Sequence, residues 1–504
     1  MSLLLLLPLP LPRLGLPLVL GLVGCRPAPE AGPHAAASIS REGSGVEPWS
    51  AEGAGEQPSL PIIEEAADID DAEGVVHFLL RAAAATHTLT DWQTGEVRTV
   101  EGYAYNGLSP GPTLRARVGD TVLVELVNEL DVETTLHWHG LQVPWSEDGV
   151  TWMAEPVAPG TSRGYRFVVD RPGTFWYHPH FDPAHQVDLG LYGAFIVEDP
   201  AEPAADRDLV LVFDDWPEAE GEVGGEGEGE GGGGEGSDDT GDDPTDAYVH
   251  GAHGAEGLWT VNGAVRPRLD LDAAEGARLR ILNVSNAGYL ALHWADQRWI
   301  GGDQGLLPAA EAPDQVVLGA GDRGEFEIVA GGSGFRMEDR PWSLAGGAGY
   351  GEAEARLDVV VTGTSSPGAP LPLPYSGEAP TPDPGRTDLL YTFQGELHSD
   401  TWMINGEQYP DVTVQSAPYG AEQVIEVRNL SASTHPFHLH GMSFEVLSVD
   451  GVAPTHRTVE DTVDLGLYQT LRLRLVADNP GDWMLHCHIL PHEHGGMMTV
   501  LRVE

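Results

Sequence analysis

Residues 103–140 read YAYNGLSPGPTLRARVGDTVLVELVNELDVETTLHWHG. The pair Asn106-Gly107 marks a tight turn, and the stretch 121-TVLVELVN alternates apolar with polar side chains as a half-buried strand does. The segment closes on His137-Trp138-His139-Gly140. Its outline returns twice further along the chain. Asn106 precedes His137 by 31 positions, Asn262 precedes His293 by 31, and Asn405 precedes His438 by 33. Each copy passes through a proline, an alternating stretch, a glycine and a second alternating stretch to another asparagine, which is Asn128, Asn283 or Asn429. One unit repeated three times predicts three related β-sandwich domains, at 71–200, 205–365 and 385–504. Further strand-like runs, 165-YRFVVD, 209-LVLVFDD, 423-QVIEVRN and 444-FEVLSVDG, agree with an all-β fold, and no long amphipathic helix stands out.

The chain has 504 residues, 78 of them acidic and 26 basic, for a net charge of −52. Such a surface repels phosphate backbones, so nucleic acid is excluded as a partner. Every basic residue is arginine. Without lysine, Schiff-base and P-loop chemistry are also excluded. Two cysteines cannot build a disulfide framework, so each has its own reading.

Residues 1–24 are almost wholly apolar and end just before Cys25. Small residues before a cysteine at the end of such a run resemble a lipoprotein-type signal peptide, in which Cys25 is lipidated after cleavage. Prolines at 8, 10, 12 and 17 argue against a membrane-spanning helix. The expectation is an exported monomer, periplasmic or at the cell surface, whose only membrane contact is a lipid anchor. In a Gram-negative envelope, Arg26 after the cysteine favours the outer membrane. Residues 25–70, rich in Ala, Pro, Gly, Ser and Glu, are predicted to form a flexible tether. The stretch 217–246 carries 12 acids and no base and is expected to be a solvated loop within the second domain.

Ten of the 20 histidines fall in four clusters: His137/His139, His178/His180, His435/His438/His440, and His486/His488/His492. On a strand, positions i and i+2 share a face, so each His-x-His pair can send two imidazoles into one cavity. At 486–488 the same parity turns Cys487 the other way, and one strand can connect two metal sites. Two histidines, a cysteine and a weak distant methionine make a blue-copper electron-transfer set. His435, Cys487, His492 and Met497 supply it. A zinc site would stop at four ligands and has no use for the thioether. The remaining eight histidines suit a cluster of imidazole-bound coppers.

These motifs, together with the 103–120 segment leading into HWHG, resemble the multicopper oxidases over about residues 100–504. The resemblance implies three cupredoxin-like Greek-key β-sandwiches and four copper ions. It places type 1 copper on His435, Cys487, His492 and axial Met497, and type 2 copper on His137 and His438. One type 3 copper takes His139, His178 and His488; the other takes His180, His440 and His486. Asp148 and Glu493 occupy positions similar to the family's proton-relay acids, and Cys487 carries electrons to the cluster. The second domain has His293-Trp294-Ala295 where the first has a His pair, so it is expected to hold no copper. His494 and Met498 neighbour the assigned ligands and compete with them as candidates.

The implied activity is a laccase-like oxidation of phenols or aromatic amines, one electron at a time, coupled to reduction of O2 to water. An axial thioether points to a low-to-middle potential. Oxidation of Fe(II), Mn(II) or Cu(I) in metal homeostasis is the alternative, with Cu(I) disfavoured because the eight methionines are scattered. A copper-binding or structural envelope protein is the alternative of another class, opposed by the completeness of the ligand set.

Overall fold

Each of the three Asn-Gly pairs makes the same turn. In the computed structural model, Asn106, Asn262 and Asn405 have φ of 54°, 54° and 57°, and the glycines after them 77°, 78° and 75°. Two successive positive φ values define the turn that suits a right-twisted hairpin, and Asn-Gly reaches them at least cost. Each asparagine also caps the strand running beside it, through Arg81 N to Asn106 Oδ1 at 2.7 Å, Val212 N to Asn262 Oδ1 at 2.7 Å, and Thr392 N to Asn405 Oδ1 at 2.8 Å. The second repeated asparagine has one task in all copies. Asn128, Asn283 and Asn429 hold the loop that follows through side-chain bonds to the carbonyls of Val132 (2.8 Å), Gly288 (2.9 Å) and Ser433 (2.6 Å).

The structure describes residues 57–152, 154–216, 257–273, 275–329, 334–340, 342–343, 347–348, 353–363, 369–373, 379–395 and 401–504. The leader 1–24, Cys25 and the acidic loop 217–246 lie outside them. Six main sheets pair into three sandwiches spanning 75–198, 207–362 and 389–503. In each, the opening strand runs parallel to the strand that ends on the repeated asparagine: Val75–Thr90 with Thr121–Asn128, Arg207–Trp216 with Gly276–Asn283, and Leu389–Gly395 with Glu422–Asn429. Each sandwich closes on its own apolar core, around Trp138, Phe167 and Phe195 in the first, Trp294 and Phe326 in the second, and Phe437, Leu473 and Trp483 in the third. At roughly 2–3 kcal/mol for each large apolar side chain fully buried, these cores dominate the stability of the fold.

One expectation is corrected. Residues 57–66 are not free tether. Leu60 is buried in the second core, Ser59 bridges to Arg268, and Glu65 bridges to Thr113 of the first sandwich. Composition hid this because only a few apolar side chains, Leu60 and Ile63 among them, anchor the segment.

Candidate metal centre

Two strands of the first sandwich and two of the third bring the histidines together. His137–His139 pairs with Gly173–His178, setting His137 opposite His178. His435–Leu439 pairs with Gly481–Cys487, setting His438 opposite His486 and Phe437 opposite Cys487. Parity then sorts the side chains. Trp138 turns into the first core, and Phe437, Leu439 and Cys487 into the third. His137, His139, His438, His440, His486 and His488 turn the other way, toward the boundary between the sandwiches. There the imidazoles of His137 and His440 stack at 3.9 Å, and those of His139 and His438 at 3.8 Å. His178 and His180 complete a cage of eight rings, His180 7% exposed and the other seven at most 1%.

Backbone carbonyls fix the tautomers. Nδ1–H of His137 donates to Asp148 O (2.9 Å), of His178 to Pro179 O (3.0 Å), of His438 to Asp461 O (3.0 Å) and of His486 to Cys487 O (3.0 Å). The other nitrogen is thereby left with its lone pair facing inward. Nε2 of His137, His178, His180 and His438 has no hydrogen-bond partner although buried. His139 is turned over: its Nε2 lies 3.0 Å from Thr462 Oγ1, and its Nδ1 is the unpartnered atom. A buried polar atom without a partner is costly, and so many converging on one space fit a set of metal ligands. Burial and mutual repulsion push His139, His178, His180, His438, His440 and His488 well below the usual imidazole range, so these rings are neutral and able to ligate. The cage is continuous. Ligand atoms of His137, His180 and His440 lie within 4.8 Å of one another, as do those of His438, His440 and His486, and of His137, His139 and His178.

The second site lies on the opposite side of the 486–488 segment. Cys487 Sγ is 3.4 Å from His435 Nδ1 and 3.6 Å from His492 Nδ1, and the two nitrogens are 3.2 Å apart. Ser431 Oγ, which donates to Asn429 Oδ1, accepts from His435 Nε2 at 2.7 Å and turns Nδ1 toward the sulfur. Burial pushes the Cys487 thiol up and His435 down to about 3. A thiolate in this dry pocket therefore needs a bound cation to hold it. Met497 is fully buried, its amide on His492 O and its carbonyl on Cys487 N. His494 is exposed and Met498 partly so, which separates them from His492 and Met497. The face of the His492 ring is covered by Trp402, stacked at 3.5 Å and 25°.

Two segments of the chain match the multicopper oxidase family, at residues 87–202 and 381–504. A multicopper oxidase of Mycobacterium tuberculosis is 31% identical over 428 residues, which is 80% of this chain and 83% of that one. The chain belongs to the multicopper oxidases. Its fold agrees with that of a laccase from Pediococcus acidilactici, 25% identical, with a TM-score of 0.72 over 89% of this chain and 94% of that one. A protein of Epichloe festucae named an iron transport multicopper oxidase is 26% identical over 83% of this chain and 77% of its own. Multicopper oxidases are copper oxidoreductases that use O2, and the donor sets described above fit copper.

The carboxylates expected from the sequence reach this oxidase's cage. Asp148 Oδ2 accepts from His440 Nδ1 at 2.8 Å, and its Oδ1 is 3.3 Å from His137 Nδ1. Glu493, on helix Leu490–His494, lies between His180 Nδ1 (3.4 Å) and His486 Nδ1 (3.0 Å). Gly149 makes the Asp148 contact feasible. At φ +81° it lies so close to the chain that a Cβ would sit 2.0 Å from Leu136 O. His293 is not in the cage; its Nδ1 bonds to Asp314 O within the second sandwich. Sequence reasoning missed Asp461 and Thr462, which touch His139 and His438, and Trp402, which stacks on His492.

Proposed function

We propose that this oxidase withdraws single electrons from small phenolic or aromatic-amine donors at the Cys487 site and delivers them to O2 at the histidine cage. His435, Cys487, His492 and Met497 would hold type 1 copper, and His137 with His438 type 2. His139, His178 and His488, and His180, His440 and His486, would hold the type 3 pair. Bound copper would supply the one-electron acceptor and the store of reducing equivalents that O2 reduction requires. The protein supplies the path: Cys487 is flanked in the chain by His486 and His488, so one short covalent segment joins the sites. Asp148 and Glu493, each on two cage histidines, are placed to hold and move protons during O2 reduction. D148N is expected to slow reoxidation by O2 by about ten- to a hundredfold while the blue absorption persists. Stopped-flow mixing of reduced enzyme with O2 checks this, and normal reoxidation would remove Asp148 from the relay.

The observation that carries the choice of donor is the half-buried aromatic pair Trp152 and Tyr409, rings 5.6 Å apart; Trp402, stacked on His492, is itself buried. Tyr409 is tied to the ligand loop through Gly496 O at 3.1 Å. Flat π surfaces beside the electron inlet favour flat aromatic donors, each such contact contributing about 0.5–1.5 kcal/mol. Y409L is therefore expected to lower kcat/KM for dimethoxyphenol by up to about tenfold. A second reading, oxidation of a reduced metal ion, is supported by the charge of −52. Oxygen uptake by copper-loaded protein with dimethoxyphenol, Fe(II), Mn(II) and Cu(I) decides between them. A kcat/KM higher for Fe(II) than for the phenol would overturn the laccase-like reading. We also propose export with a lipid on Cys25, which labelled palmitate incorporation, lost in C25S, would test.

A further inference from the structure

The cage has an approximate two-fold arrangement. The His137/His440 stack is clasped by Asp148, and the His139/His438 stack by Asp461, whose Oδ1 is 3.2 Å from His139 Nε2 and 3.5 Å from His438 Nδ1. Thr462 Oγ1 reinforces the second clasp, 3.0 Å from both His139 Nε2 and His438 Nδ1. The two clasps differ in what stands behind them. Both oxygens of Asp461 are taken by one guanidinium, Arg323 Nη1 to Oδ1 at 2.7 Å and Nη2 to Oδ2 at 2.5 Å. Arg323 opens the strand Arg323–Val329 of the second sandwich, which contributes no histidine to the cage. It is 2% exposed, its Nε donates to Thr174 O of the first sandwich at 2.9 Å, and its own amide is fixed by Asp303 Oδ1 at 2.9 Å. The other oxygen of Asp303 accepts from Thr462 N at 3.0 Å. Gly140, which ends the HWHG motif, leaves the room: a Cβ there would sit 2.5 Å from Arg323 Nη2 and 2.7 Å from Asp461 Oδ2.

We infer that Arg323 is a positioning residue for oxygen reduction, through which the second sandwich fixes the orientation of His139 and His438. A two-pronged guanidinium holds a carboxylate in one plane, where an ammonium would let it rotate. The carboxylate in turn sets the tilt of the two stacked rings and hence the direction of their inward nitrogens. The inference rests on the copper assignment proposed above, because these two rings belong to different ions in it, type 3 and type 2.

The test uses copper-loaded full-length protein. R323M is expected to change the type 2 electron paramagnetic resonance parameters and to slow reoxidation by O2 by about ten- to a hundredfold. The blue absorption at Cys487 and reduction by the donor stay unchanged. R323K, with one prong, is expected to recover part of the type 2 signal. Should R323M fail to fold because Asp461 is left as an uncompensated buried charge, R323K, which keeps the opposing charge, is read against the wild type in its place. A folded variant of either kind with a lowered Tm but wild-type type 2 resonance and reoxidation would reduce Arg323 to a structural tie and overturn the inference. Absence of a type 2 signal from the loaded wild-type protein would instead defeat the copper assignment.

Discussion

Cys487→Ser is expected to abolish the blue thiolate absorption and lower turnover at least about a thousandfold, equivalent to about 4 kcal/mol in the barrier. The sulfur does two things that an alcohol oxygen cannot. With copper bound it would be a soft anionic ligand, converging with His435 Nδ1 and His492 Nδ1 at 3.4 and 3.6 Å, where a serine hydroxyl stays neutral and hard. It also begins the covalent path to His486 and His488, which no other described side chain duplicates. Folding should survive. Sulfur and oxygen differ little in volume, and a buried hydroxyl without a partner costs about 1–3 kcal/mol. Circular dichroism of the apoprotein, absorption after copper loading, and oxygen uptake together check the prediction. A blue C487S protein would remove Cys487 from the metal site.

Gly149→Ala is the second large effect expected, on stability and on the cage at once. At many of the described glycines an added methyl would meet nothing or a side chain. At Gly149 it meets backbone, the Leu136 carbonyl at 2.0 Å, in a conformation with φ +81° that alanine rarely adopts. Either the 145–150 turn or the strand carrying His137 must give way. We expect a loss of about 3–5 kcal/mol, in the range reserved for strain and core disruption. Because Asp148 is the preceding residue, displacement of the turn also withdraws the acceptor of His137 and His440. Reoxidation by O2 should slow in any G149A protein that folds, as it does in D148N. Thermal unfolding and stopped-flow reoxidation read the two effects separately. Wild-type values for both would mean the turn relaxes without reaching the cage.

The parts of this molecule that were legible in its sequence are those with local periodicity. The Asn-Gly turns, the capping asparagines and the His-x-His pairs each depend on neighbours a few positions away, so spacing alone discloses them. The parity of 486–488 foretold that Cys487 and its flanking histidines would face opposite sides. Asp461 and Arg323 are another matter. They stand in 459-VEDTVDL and 320-AGDRGEF, ordinary acidic stretches in a chain full of them. Their contact joins residues 138 positions apart across two sandwiches, and nothing periodic marks it. Trp402 was missed for a similar reason. A tryptophan opening the short strand Trp402–Ile404 reads as core, which it is, and nothing in the sequence adds that its ring lies on His492. The segment 57–66 failed in the opposite sense, because a few apolar anchors are too few to outweigh a polar composition.

The first cage histidine, His137, and the last, His488, are separated by 351 positions, and the rings from the two ends of that interval interleave in stacked pairs. This fixes an order of events in the life of the molecule. A nascent chain can complete its first and second sandwiches and still have only half of each stack. The eight-ring cage does not exist until the strand Gly481–Cys487 has been made and has docked against the first sandwich. Chains that stop short of residue 486 thus lack part of the cage and the cysteine beside it. The cage closes in one late step, so that a metal it took up then would be enclosed rather than exposed.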